Sequence, residues 1–167
     1  MGTAGDPGGV TGSYEAVVTA RRPSGQPAPP QARKHAWTVP LVPGSVRAAR
    51  ERTERSLVLF GLKSSSSLFG AVLLVVSELV ANAVRHAQES PEAEVTLHMS
   101  DHMLVVGVAD LDPSPITLAD AGRISGTGLR TVADLARTFG GDLRIEPSTS
   151  GRGKTAVVRF ILPGGTP

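Results

Sequence analysis

The chain has 167 residues and no cysteine, with 17 Lys and Arg against 15 Asp and Glu and a formal net charge of +2. This length supports one domain with a hydrophobic core, and the lack of cysteine excludes disulfides, thiolate metal sites and a cysteine nucleophile. The positive excess lies within residues 1–35, so residues 36–167 carry equal numbers of basic and acidic side chains, and only 4% of the chain is aromatic. A protein that binds nucleic acid directly is therefore not expected.

Residues 1–35 are rich in Gly, Pro, Ser and Ala and show no sustained periodicity, which predicts a disordered tail. The N-terminus lacks the apolar core of a signal peptide. The longest apolar run, residues 68–84, is interrupted by Glu78 and Asn82 and is short for a membrane span. We therefore expect a cytoplasmic protein that does not bind a membrane.

The first half of the domain reads as a strand followed by two helices. Residues 37–42 form a short extended segment, and a Pro-Gly pair follows it. Ser45 is a plausible N-cap for a helix whose apolar side chains recur at helical spacing until about Phe60. A glycine and a run of serines connect this helix to a second, very apolar helix that ends near Ala87.

The second half reads as two hairpins separated by one helix. The strand patterns of the first hairpin are Ala93–His98 and Met103–Ala109. A third helix is predicted over Gly128–Thr138 and ends at a Gly-Gly pair. The strands of the second hairpin are Leu143–Glu146 and Thr155–Leu162.

This order of elements predicts the fold class α+β. We expect a two-layer α/β sandwich with the helices on one face of a mixed, mostly antiparallel sheet. The domain is expected over residues 36–163, between the tail at 1–35 and a disordered C-terminus at 164–167.

Polar side chains interrupt the second helix within the sequence Ser-Glu-Leu-Val-Ala-Asn-Ala-Val-Arg-His-Ala. Glu78, Asn82 and Arg85 lie at i, i+4 and i+7, so they share one face of the helix. A buried carboxylate is costly without a partner, which suggests that this face lines a site. The Asn82 oxygen suits Mg²⁺, Glu78 could orient or deprotonate a hydroxyl beside a terminal phosphate, and Arg85 could contact phosphate oxygens. The spacing alone fits equally well a core helix whose polar groups are capped or bound to water.

Three further segments could complete a nucleotide site. Asp110 ends a strand and could accept the amino hydrogens of adenine, although Asp is also common in turns. In Gly126-Thr-Gly-Leu129 the glycines and the following helix could approach phosphate, although a plain glycine-rich linker fits as well. Gly151-Arg-Gly-Lys-Thr155 lacks the first glycine and the following helix of a P-loop, so we expect a hairpin whose Thr155 hydroxyl supports Asp110 through water.

In their order and spacing these motifs resemble the GHKL ATPase superfamily, which includes gyrase, the large heat-shock chaperone, histidine kinases and mismatch-repair ATPases. The size of the chain and residues 37–50 resemble its anti-sigma-factor branch, the serine-kinase-like regulators of actinobacteria. The resemblance covers about residues 37–163. It implies the Bergerat fold of histidine-kinase-like ATPases, with ATP and Mg²⁺ as ligands.

The resemblance also implies a role for each motif. Asn82 matches the Mg²⁺ ligand, and Glu78 matches the carboxylate proposed as general base. Asp110 matches the residue that reads adenine, and Thr155 matches the threonine that supports it. The residues that match the end of the phosphate-wrapping lid are Gly126, Thr127, Gly128 and Leu129.

For the whole protein, the resemblance implies a serine/threonine kinase that binds a sigma factor and phosphorylates an anti-sigma antagonist when ATP is bound. It also implies a homodimer, for which the sheet edge near residues 37–42 is a candidate interface. One departure is the family's Asp-x-Gly-x-Gly, which here reads Asp110-Leu-Asp-Pro-Ser. The missing glycines favour an alternative in which the chain is a non-catalytic nucleotide-binding module, or a protein-interaction module that works without nucleotide.

Overall fold

The computed structural model of the protein describes residues 32–113, 128–148 and 152–162. These residues form three helices and five strands in the predicted order. The elements are β1 (Arg33–Pro40), α1 (Ser45–Leu59), α2 (Ser67–His86), β2 (Glu92–Met99), β3 (Met103–Asp110), α3 (Gly128–Thr138), β4 (Leu143–Pro147) and β5 (Lys154–Ile161).

The five strands form one sheet in the order β1-β2-β3-β5-β4. All four strand pairings are antiparallel, so the described sheet is antiparallel rather than mixed. The three helices cover one face of this sheet, which confirms the predicted α+β sandwich. Residues 33–35, which the sequence assigns to the tail, belong to the sheet because β1 pairs with β2 from Arg33 onward.

The start of α1 differs from the prediction by one residue. Gly44, not Ser45, is the N-cap, with a φ of 96° that favours glycine. Ser45 is the first helical residue, and its hydroxyl donates to the carbonyl of Pro40. The hydroxyl therefore ties the helix to the end of β1 instead of capping the helix.

α2 is the central element of the core. The Ser66 hydroxyl caps it by accepting a hydrogen bond from the Phe69 N–H at 3.3 Å. It is long and apolar enough to cross a membrane, but half of that span is buried within the fold, between α1, α3 and the sheet. Its apolar character is thus explained by the core.

Alternation along the strands decides which side chains reach the helices. In β3 the side chains at even positions face the helices, including Val108 and Asp110. The register pairs Asp110 with Lys154 and Val108 with Ala156 of β5, so these four side chains lie on the same face. They form the floor beneath α2 and α3.

Candidate functional site

A small cavity of about 30 Å³ lies between α2, α3 and the adjoining ends of β3 and β5. Most of its lining is apolar, and its polar groups lie on α2 and at the strand ends. This is the usual composition of a small-molecule site. The lining residues are Leu79, Asn82, Ala83, His86, Ala87, Val108, Asp110, Leu129, Ile145, Lys154 and Ala156.

Asp110 lies on the floor of this cavity and is 8% exposed. Its Oδ1 accepts hydrogen bonds from Lys154 Nζ and from the Asp112 N–H, each at 3.0 Å. Lys154 Nζ also donates to the Asp112 carbonyl at 3.3 Å. Among the described residues no group donates to Asp110 Oδ2, so this oxygen is available to a donor on a ligand.

A network of hydrogen bonds fixes the chain that follows Asp110. The buried Asp112 carboxylate accepts from the Glu89 N–H at 3.0 Å, and the Leu111 N–H donates to Ser90 Oγ at 3.0 Å. These bonds join the end of β3 to the segment that follows α2, the helix that carries the polar face. The two glycine positions of the related motif are Asp112 and Ser114 here, and the network holds Leu111 and Asp112 in place without a glycine.

On α2, Asn82 Oδ1 accepts a hydrogen bond from Arg85 Nη2 at 3.1 Å. Arg85 is otherwise exposed and also donates from Nε to the Ala81 carbonyl. Asn82 Nδ2 is buried and has no hydrogen-bond partner among the described residues. A buried donor without a partner is costly, which marks Asn82 as a residue suited to a ligand rather than to the core.

The N-terminus of α3 meets the polar face of α2. A Cβ placed on Gly128, the first residue of α3, would lie 2.5 Å from Glu78 Oε2 and 3.9 Å from Asn82 Nδ2. Only a glycine therefore allows this approach without displacing the Glu78 carboxylate. The free N–H groups at a helix N-terminus attract anions. Leu129 lines the cavity beside them, whereas Gly126 and Thr127 lie outside the described residues.

The fold does not bring Thr155 to the cavity. The described candidates that line the cavity are Asn82, Asp110 and Leu129, and those beside its lining are Glu78, Arg85 and Gly128. It pairs with Ala109, one position away from the Asp110–Lys154 pair, and successive strand residues point to opposite faces. Its Cγ2 lies 3.8 Å from where a Cβ on Gly107 would stand, on the face of the sheet away from the helices. The expected support of Asp110 by Thr155 is replaced by direct bonding from Lys154.

Sequence reasoning missed Lys154, Asp112 and Ser90. Lys154 belongs to the segment for which the sequence predicts a hairpin, and the signal that identifies it is the strand register opposite Asp110. The Asp-x-Asp at the end of an apolar strand was the corresponding signal for Asp112.

The arrangement suits a flat polar ring joined to a polyanion. An apolar slot with a free carboxylate oxygen at its floor can receive a ring that bears an amino group. At the other end, Asn82, Glu78 and the first turn of α3 offer a metal ligand, a proton acceptor and anion-binding N–H groups.

Comparison with known proteins agrees with this geometry. A sequence profile described as "Histidine kinase-, DNA gyrase B-, and HSP90-like ATPase" matches residues 70–165, more than half of the chain. The match includes every residue that lines the cavity. Among curated proteins no sequence matches this chain.

Solved structures include one that shares the fold and two that are less similar. A Mycobacterium tuberculosis structure of RsbU and RsbW domains has a TM-score of 0.56 and 19% identity, over 78% of this chain and 33% of that one. The chain thus spans about a third of that protein's length. The ATP-binding domain of PrrB from Mycobacterium tuberculosis has a TM-score of 0.47 and 23% identity, over 57% and 69% of the two chains. The SiaB–SiaC complex from Pseudomonas aeruginosa has a TM-score of 0.44 and 15% identity, over 77% and 89%.

Proposed function

The chain belongs to the histidine kinase-, DNA gyrase B- and HSP90-like ATPase family, as its motifs predict, and we propose that it is an ATP-dependent regulatory protein kinase. In this proposal it acts in the cytoplasm as an anti-sigma factor. It binds a sigma factor, and it phosphorylates a serine or threonine of an anti-sigma antagonist when ATP is bound.

One observation carries the nucleotide part of the proposal: the cavity has an unpaired carboxylate oxygen at one end and the Glu78–Asn82–Gly128 contact at the other. In this proposal Asp110 Oδ2 accepts the amino hydrogens of adenine. The N–H groups in the first turn of α3 bind phosphate oxygens beside Glu78 in the same proposal.

Asn82 is the residue that would hold Mg²⁺. Its Oδ1 has two lone pairs, and Arg85 uses one of them, which leaves one for a metal ion. Mg²⁺ keeps several waters and needs few protein ligands, so a single amide oxygen beside the triphosphate is a fitting donor. When bound, Mg²⁺ would neutralise charge on the phosphate oxygens.

Glu78 is the residue that would act on the acceptor hydroxyl. Phosphoryl transfer depends mainly on positioning and charge stabilisation, and a carboxylate near the terminal phosphate can accept the proton of a serine or threonine hydroxyl. Glu78 lies beside Gly128 at the N-terminal end of α3, and the proposal puts the phosphates at this end. Arg85, exposed beside Asn82, can contact the phosphate oxygens from the open side of the site.

The proposal of a sigma factor and an antagonist as partners has a different support. It rests on the motif resemblance, and the shared fold with a structure that contains an RsbW domain is compatible with it. Among the described strands β1 lies at one edge of the sheet, and this position is compatible with a homodimer.

The test is a calorimetric titration of the protein with Mg·ATP. We expect saturable binding that Asn82→Ala weakens at least tenfold, because the variant loses the metal ligand. Gln88→Ala removes an exposed amide just after α2 and serves as the matched control. If the protein is folded and does not bind Mg·ATP, or if both variants bind alike, the nucleotide proposal is wrong.

A second candidate is a partner-binding module without catalysis. The observation that favours it is the bond between Lys154 and Asp110, which already occupies one oxygen of the proposed adenine-reading carboxylate. In this case partner binding would be the same with ATP, with ADP and in the Asn82→Ala variant, and a pull-down under the three conditions distinguishes it from the kinase.

A further inference from the structure

Lys154 is a buried cation at the cavity to which the proposed function assigns no role. It is 8% exposed and lines the cavity together with Asp110. Lysine is seldom buried to this degree unless its charge is paired. Its Nζ donates to Asp110 Oδ1 at 3.0 Å and to the Asp112 carbonyl at 3.3 Å. An ammonium group has three N–H bonds, so these two contacts leave one donor unused among the described residues.

The carboxylate of Asp110 offers an acceptor next to this donor. Its Oδ1 is fully used, because it accepts from Lys154 Nζ and from the Asp112 N–H. Its Oδ2 has no donor among the described residues and is not fully buried, whereas Asn82 Nδ2 is. Since Lys154 bonds the same carboxylate, the unused N–H of the ammonium and the oxygen Oδ2 lie close together. The floor of the cavity therefore presents one donor and one acceptor as a pair.

The fold fixes this pair through the backbone around it. Asp110 and Lys154 are directly opposite each other in the register of β3 and β5. The turn before β5 packs closely against the end of β3, since a Cβ on Gly153 would lie 1.9 Å from the Asp110 carbonyl oxygen. On the other side, the Asp112 carboxylate accepts from the Glu89 N–H at 3.0 Å. Groups held in this way lose little freedom when they bind a ligand.

We propose that Lys154 reads the base of the bound nucleotide together with Asp110, which presupposes the ATP binding proposed above. The unused N–H of Lys154 donates to ring nitrogen N1 of adenine, and Asp110 Oδ2 accepts a hydrogen of the neighbouring 6-amino group. A 6-oxopurine such as guanine presents the reverse at these two positions, with a carbonyl oxygen toward the carboxylate and an N–H toward the ammonium. Lys154 therefore makes the site selective for adenine over 6-oxopurines.

The test is a set of calorimetric titrations of the full chain with the Mg²⁺ complexes of ATP, 1-deaza-ATP and 7-deaza-ATP. The first analogue has a C–H in place of N1, so it leaves the donor of Lys154 unpaired. We expect its Kd to be at least about tenfold higher than that of ATP, because a hydrogen bond from a charged donor is lost. The second analogue loses an acceptor from another edge of the ring and is the matched control, with a Kd within about threefold of that of ATP.

The variant Lys154→Met assigns the effect to this residue. It should bind ATP and 1-deaza-ATP with Kd values within about twofold of each other, because the group that distinguishes them is gone. Lys63→Met removes an exposed lysine outside the lining and should keep the difference seen in the wild type. If Lys154→Met is too unstable to titrate, the double variant with Asp110→Asn replaces it, since that variant leaves no buried charge unpaired.

The outcomes separate the role of Lys154 from the nucleotide site itself. Equal binding of ATP and 1-deaza-ATP by the wild type would overturn the role of Lys154 and leave the nucleotide site intact. A difference that persists in the Lys154 variants would also overturn it, since another group would then read N1. If the folded wild type does not bind ATP, the proposed nucleotide site is wrong, and the role of Lys154 with it.

Discussion

At the scale of single residues, the most consequential interaction is the buried ion pair between Lys154 and Asp110. The two side chains are 10% and 9% exposed, and the nitrogen and oxygen lie 3.0 Å apart. Removing one member of a buried pair leaves the other charge without compensation, whereas replacing both by neutral groups is often nearly neutral. Removal of one charge is therefore expected to destabilise the fold, whereas removal of both charges is not.

We expect Lys154→Met to lower the free energy of unfolding by about 3–5 kcal/mol, because among the described residues it leaves the buried Asp110 carboxylate with the Asp112 N–H as its one donor. The double variant Lys154→Met with Asp110→Asn should recover most of this loss, to within about 1 kcal/mol of the wild type. Urea denaturation of the four proteins of this cycle measures both values. A double variant as unstable as the single one would contradict the assignment.

Glu78 provides a second prediction at this scale. Glu78→Gln keeps the size of the side chain beside Gly128 but removes its ability to accept a proton. We expect the Kd for Mg·ATP to change by less than about threefold, while ADP formation in single-turnover assays falls about 100-fold or more, the usual contribution of a general base. Ser77→Ala, one residue earlier on α2, is the control for helix stability. Unchanged ADP formation would show that Glu78 is not the base.

At the scale of secondary-structure elements, the turn before β5 is held tightly against the end of β3. Gly153 has a φ of 87°, and a Cβ on it would lie 1.9 Å from the Asp110 carbonyl oxygen. Gly44 has a similar φ of 96°, but its Cβ would meet nothing within 4 Å. A substitution at Gly44 therefore measures the cost of the left-handed backbone conformation alone. A substitution at Gly153 measures this cost together with that of the close backbone contact.

We expect Gly44→Ala to lower the free energy of unfolding by about 1–2 kcal/mol, the cost of a left-handed conformation for a residue with a side chain. Gly153→Ala should cost clearly more, since it adds a backbone clash, and it should also weaken Mg·ATP binding because Asp110 must shift. Thermal unfolding and calorimetry of both variants give the comparison. Equal losses of stability would mean that the contact at Asp110 contributes nothing.

The elements also indicate how far the sequence predicts this molecule. The periodicity of α2 and the alternation in β2 and β3 were sufficient for the fold and for the polar face with Glu78 and Asn82. The sequence could not show whether Thr155 or Lys154 lies on the same face of the sheet as Asp110. A shift of one residue in the strand register exchanges the two faces, and the register is set by long-range pairing. The same limit applies to Ser45, since its role depended on a contact with Pro40 that lies in another element.

At the scale of the whole molecule, α2 connects all parts of the structure. It packs against α1 on one side and α3 on the other, and it lies over β2 and β3. The same helix carries Glu78 and Asn82 in the site and Val72, Val75 and Val76 in the core. Binding at the site should therefore stabilise the whole domain, including α1, which contributes no residue to the cavity.

Native-state hydrogen exchange at saturating Mg·ATP tests this coupling. A ligand at about 100 times its Kd stabilises the folded state by about 2.7 kcal/mol, and amides that exchange only through global unfolding gain that full amount. We expect the most protected amides of α1 and of β2 to gain it equally, because a single core joins them to α2. In Asn82→Ala the gain should be much smaller at the same ATP concentration. Protection limited to α2 and α3 would mean that the site can open without the rest of the fold, and α1 with β1 would then be a separate folding unit.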